Sequence, residues 1–71
     1  MSRYAILIEP TETGFSANSP DLPGCVSTGR TIAEARENMR SAVEGHLEEL
    51  RLAGLPVPQP TTEVGYVEVA A

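Results

Sequence analysis

Seventy-one residues hold one small domain, and a chain of this size buries too little surface to be very stable without staples, metals or partners. A single cysteine excludes an internal disulfide framework, and a formal charge of -5, from ten acidic residues against five arginines and no lysine, argues against nonspecific binding to a phosphate backbone. No apolar run approaches bilayer-spanning length and the N-terminus has no cleavable leader pattern, so the expectation is a soluble cytoplasmic protein that gains buried area as a homo-oligomer.

Residues 3–9 read Arg-Tyr-Ala-Ile-Leu-Ile-Glu, a strand with Tyr4, Ile6 and Ile8 on one face and Ala5 and Leu7 on the other. Both faces are apolar, which predicts a central strand or one whose second face meets a partner. Pro10 to Gly14 form a loop. Residues 14–19 predict a second strand, antiparallel to the first, with Phe15, Ala17 and Ser19 on one side.

Ser19-Pro20-Asp21-Leu22-Pro23-Gly24 is a rigid turn, because two prolines fix the backbone and glycine admits conformations other residues resist. Asp21 is a turn residue that can bond nearby backbone, and Leu22 either tucks under the turn or projects into an interface. Residues 24–29 predict a third strand. Cys25 within it reads as a small packed hydrophobe rather than a nucleophile.

Thr31 and Glu34 have capping-box spacing and open a helix predicted over 32–53. Its stripe is Ile32, Ala35, Met39, Ala42, Val43, His46, Leu47 and Leu50, at spacings of three and four. Glu37 with Arg40, Arg40 with Glu44, and Glu48 with Arg51 have local pairing geometry. Gly45 should cost about 1 kcal/mol against alanine, and close helix packing against the sheet or a second subunit is one way to offset it. Gly54, Leu55 and Pro56 read as a C-cap and stop. Residues 55–62 carry alternating prolines and predict a stiff connector, and residues 63–70 predict a fourth strand at a sheet edge.

These elements predict a single α+β domain over 1–71. Its order is β-β-β-α-β, with an antiparallel sheet and one long helix on one face. The uncovered sheet face remains partly apolar, which points to a protein–protein interface.

The Pro20-Asp21-Leu22-Pro23-Gly24 turn, the short strand after it, Gly29, Thr31 and the Glu34-Ala35 pair form a combined pattern. With Tyr4 and Gly14-Phe15 ahead of it, that pattern resembles the N-terminal domain of HicB-like antitoxins over residues 3–53. The resemblance implies a partial, non-catalytic ribonuclease-H-like fold. It also implies a protein that binds and neutralises a small basic HicA-type messenger-RNA ribonuclease, a partner that suits an acidic chain. Members of this family usually add a DNA-binding domain beyond this one, so direct DNA binding is not expected of these residues. The alternative is an orphan HicB-like oligomeric binding or scaffold protein with no toxin partner.

The candidate partner-binding residues are Asp21, Leu22 and Pro23, carried over from the turn motif, and Glu44 and Glu48, chosen for charge complementarity. An enzymatic reading would need Glu9, Asp21 and Glu68 to converge on a divalent metal, and no local spacing brings them together. Cys25 and His46 are likewise not placed together by sequence, so no catalytic residue, metal or cofactor is expected.

Overall fold

The computed structural model describes residues 2–71; Met1 lies outside them. Three strands, β1 (Leu7–Pro10), β2 (Phe15–Ser19) and β3 (Leu22–Gly29), precede one helix, α1 (Ile32–Leu52). The sheet is antiparallel in the order β1-β2-β3, so β1 and β3 are both edges. The helix covers one face, giving the two-layer α+β arrangement.

β1 is shorter than the predicted 3–9. Its register, Leu7 opposite Asn18, brings Ala5 opposite Pro20, which has no N–H to extend the ladder. The Ser19 hydroxyl instead donates to the Ala5 carbonyl at 2.9 Å. β3, in turn, starts two residues earlier than predicted. Ser19 pairs with Leu22 and Asn18 with Val26, so Pro23, Gly24 and Cys25 bulge out of the ladder. Gly24 sits in this bulge at φ +83°, a conformation that disfavours any side chain.

The core is small: Ala17 from β2, Leu22 and Cys25 from β3, and Met39 from α1. Tyr4, Ile6, Ile8, Ala42, Val43 and Leu47 pack around it. The predicted alternation of the first strand therefore holds, with Leu7 left exposed on the far face. The helix stripe holds as well except at its first member, Ile32, which is exposed. Burial pushes the Cys25 thiol pKa up, as expected for a group that would lose solvation on ionising.

Both ends of α1 are built from local signals. Thr31 Oγ1 accepts the Glu34 N–H at 3.0 Å, and Glu34 reaches back to the Arg30 N–H at 2.9 Å, one residue beyond a regular capping box. At the far end, Leu55 N–H donates to the Leu50 carbonyl at 2.9 Å and Gly54 N–H to the Arg51 carbonyl at 3.1 Å. With Gly54 at φ +68°, this is a Schellman cap. Further ties join helix and sheet: Ser27 Oγ donates to the Ala35 carbonyl at 3.1 Å and Asn38 Nδ2 to the Thr28 carbonyl at 2.8 Å.

Two expectations are corrected here. Residues 63–70 are not a strand: they carry no ladder partner and lie exposed. Their alternating Val and Tyr residues have the composition of a strand, but a strand exists only where another edge accepts its backbone. Gly45, for its part, is not a point of close packing within the chain, because a Cβ built there meets nothing within 4 Å. Gly45→Ala should therefore raise stability by about 0.5–1 kcal/mol, through helix propensity alone. A urea unfolding midpoint that falls in this variant would show that the glycine is needed after all.

Candidate protein-binding site

Asp21 stands at the tip of the β2–β3 hairpin, held there by Pro20 before it and the buried Leu22 after it. Its carboxylate accepts from the Thr62 N–H at 3.1 Å, the Thr62 hydroxyl at 2.8 Å and the Thr61 hydroxyl at 3.2 Å. These bonds, the Thr62 N–H foremost, hold its pKa below the usual 3.8. Tyr4 makes a second tie, donating its hydroxyl to the Pro58 carbonyl at 2.6 Å. The proline connector is therefore latched at two points, first beside Tyr4 and then at the hairpin tip. Nothing in the local sequence marks Thr61 and Thr62 as partners of a residue some 40 positions away.

A carboxylate with a depressed pKa contributes its stabilisation above the unfolded value and loses it as pH falls through the folded one. The latch should thus be fully formed above the ordinary 3.8 and open only below it. In an NMR titration the Thr62 amide proton should shift with a midpoint below 3.8. Asp21→Asn should abolish that titration; its persistence in the variant would mean another group reports it.

The other proposed contacts fall in different settings. Leu22 is 0% exposed, so its side chain belongs to the core and is not a surface contact; the bulge turns it inward. Pro23 is exposed at that bulge. Glu48 is exposed and pairs with Arg51 at 3.2 Å, as Glu37 pairs with Arg40 at 3.5 Å. Glu44 is exposed and lines a groove between the residues ahead of β1 and α1. The two nominated helix acids thus stand beside arginines, which weakens the field each can project. Turn and helix acids do not form one cluster.

No sequence motif marks the groove itself. Its floor is Tyr4, Ile6, Met39, Val43 and Leu47, and its rim carries Arg3, Arg36, Arg40 and Arg51. Four of the five arginines in an acidic chain thus gather in one place. A third surface is the sheet face opposite the helix, where Leu7, Asn18 and Val26 lie in one register row and Val26 is 65% exposed. Among the described residues no three His, Cys, Asp or Glu side chains gather as a metal-holding group, so Glu9, Asp21 and Glu68 do not converge. No helix among them is long and apolar enough to cross a membrane.

A small sheet with one face covered by a helix, a latched connector and open apolar surfaces defines a binding module. Residues 4–69 match the family of HicB-like antitoxins of bacterial toxin–antitoxin systems, and the chain belongs to that family. It is a family of antitoxins rather than of enzymes. The chain is 42% identical over 45 residues to a 14.9 kDa protein of Haemophilus phage HP1, spanning 34% of that protein's length. It is 32% identical over 62 residues to a UPF0150 protein of Thermoplasma acidophilum, covering 86% of this chain and 90% of the relative. It also resembles a chain in a solved structure of the HicA3 and HicB3 toxin–antitoxin complex. That likeness has a TM-score of 0.74 and 37% identity, and covers 84% of this chain and 70% of that one. The β-β-β-α order is the partial ribonuclease-H-like topology of that family.

Proposed function

We propose that this chain is an antitoxin that binds and neutralises a small basic toxin of the HicA type. One observation carries the reading: the fold likeness to a chain from a toxin–antitoxin complex covers 84% of this chain at 37% identity, beside a family match over residues 4–69. The net charge of -5 supports it, because an opposite field speeds and orients encounter with a basic partner. The setting is cytoplasmic, where a toxin acting on messenger RNA would work, and direct DNA binding is not part of these residues' task. The contact surface includes Pro23 on the bulge and the helix acids Glu44 and Glu48. Asp21 contributes indirectly, by holding the connector.

Co-expression with a candidate small basic toxin tests this. The expected result is a stoichiometric complex and suppressed RNA cleavage. Glu44→Lys with Glu48→Lys should slow association at low salt and flatten its salt dependence, with little change in dissociation. A candidate that neither binds nor is inhibited would leave the orphan oligomeric binding protein as the better reading.

A further inference from the structure

We infer that the notch between the β3 bulge and the flank of α1 at Gly45 seats one long basic side chain, arginine or lysine, from the partner, and that Glu49 meets its charge. The inference rests on the reading of this chain as an antitoxin for a basic toxin. The notch holds about 240 Å³ and is bounded by Gly24 and Val26 on the strand and by Ser41, Gly45, His46 and Glu49 on the helix. That is below the roughly 300–1,000 Å³ of a small-molecule pocket, and suits a single side chain. The notch is not filled from within: a Cβ built at Gly24 or at Gly45 meets nothing within 4 Å.

Gly45 is the residue that needs a reason. Gly24 and Gly54 take positive φ, and a Cβ at Gly14 or Gly29 would strike backbone atoms. Gly45 has neither justification, yet it sits well inside a 21-residue helix, where alanine is the better helix former. A local rule broken with no gain inside the chain points to a contact outside it. Without a Cβ at this position, an incoming methylene stem can lie directly on the helix backbone. Lysine and arginine cover surface in this way while their charged heads stay at the rim.

Charge selects the occupant. At about 3.6 residues per turn, Arg36, Arg40 and Arg51 fall on one side of the buried Ala35 and Met39, and Ser41, Gly45 and Glu49 on the other. The arginine flank repels a basic partner, whereas no arginine lines the notch. Glu37 and Glu48 are paired with Arg40 and Arg51. Glu49 is exposed and, among the described residues, makes no ion pair within the chain. A free carboxylate beside a notch sized for one side chain is complementary to a cation carried on a stem. Pro23, exposed on the same bulge, borders the notch on the strand side, so the site is continuous with the contact surface already proposed.

The test measures binding of the co-expressed HicA-type toxin by surface plasmon resonance, alongside circular dichroism and urea unfolding of the free chain. Gly45→Leu fills the notch. It should keep the wild-type helix signal and at least the wild-type urea midpoint, while weakening toxin binding at least about ten-fold, mostly through faster dissociation. Glu49→Gln should weaken binding roughly three- to ten-fold. Glu12→Gln removes the same charge from the exposed β1–β2 loop and should change affinity less than about two-fold. Equal losses in the two glutamine variants would reduce Glu49 to net charge and overturn the proposal. Gly45→Leu binding as tightly as wild type would overturn it as well, and so would a lowered midpoint in that variant, because the notch would then be filled from within. A wild-type chain that binds no such toxin would defeat the antitoxin reading, and the occupant of this site with it.

Discussion

Leu22→Ala should be the most damaging single truncation in the turn, lowering stability by about 2–5 kcal/mol. Leu22 is fully buried in the core cluster with Ala17, Cys25 and Met39. The loss is large on the scale of the molecule. At about 0.05–0.15 kcal/mol per residue, a chain of this length has roughly 4–11 kcal/mol in all. Pro23→Ala, one position on and exposed, should cost no more than about 1 kcal/mol, mostly through a looser unfolded chain. Urea unfolding followed by circular dichroism separates the two. If Leu22→Ala kept the wild-type midpoint while losing partner binding, the residue would be a contact and the core assignment wrong.

Gly29→Ala should be comparably severe, for a different reason. A Cβ at Gly29 would lie 2.8 Å from the Ala35 Cα and closer still to the Ala35 nitrogen, both backbone atoms of the first helical turn. Neither can swing aside as a side chain could. Either β3 or the start of α1 must move, breaking the Ser27–Ala35 and Asn38–Thr28 ties that close the strand onto the helix. Overpacking of this kind typically costs about 1–3 kcal/mol, and more where backbone meets backbone. The expected signature is a lowered midpoint with reduced protection of amides in the first turn of α1. Wild-type stability in Gly29→Ala would mean that the strand–helix junction yields easily. The Gly45→Ala variant is the natural control, because there the same added methyl has open space around it.

What the sequence revealed depended on how far each signal reaches along the chain. The helix was legible at both ends because its caps are made by residues three to five positions apart: Thr31 with Glu34, and Leu50 with Leu55. Its buried stripe was legible because side-chain period alone selects a face. The hairpin faces were legible for the same reason, since Ala17 and Ser19 alternate with outward residues whatever the exact register. The bulge at Pro23 to Cys25 was not, because it depends on where Ser19 finds its partner. The arm at 63–70 misled for a related reason: alternation describes the two faces of a strand and says nothing about whether an edge is available. The candidate site fared less well. Asp21 was rightly placed in the turn, but its partners Thr61 and Thr62 come together with it only through the connector's path. The arginine groove was hidden because Arg3 lies at one end of the chain and Arg51 well beyond it, joined only when the residues before β1 settle beside α1.

The lone thiol gives the molecule its own gauge of opening. Cys25 is buried as a member of the four-residue core, and a thiol reacts only as an exposed thiolate. A disulfide reagent in solution can therefore modify it chiefly in the fraction of time the structure around the β3 bulge opens. Under mild conditions the labelling rate, divided by that of the unfolded chain, is the population of the open state. No dye, tag or second cysteine has to be introduced. The same reading can be taken with a partner present, since any ligand that grips only the closed form must slow the reaction by the factor it adds to the folding equilibrium.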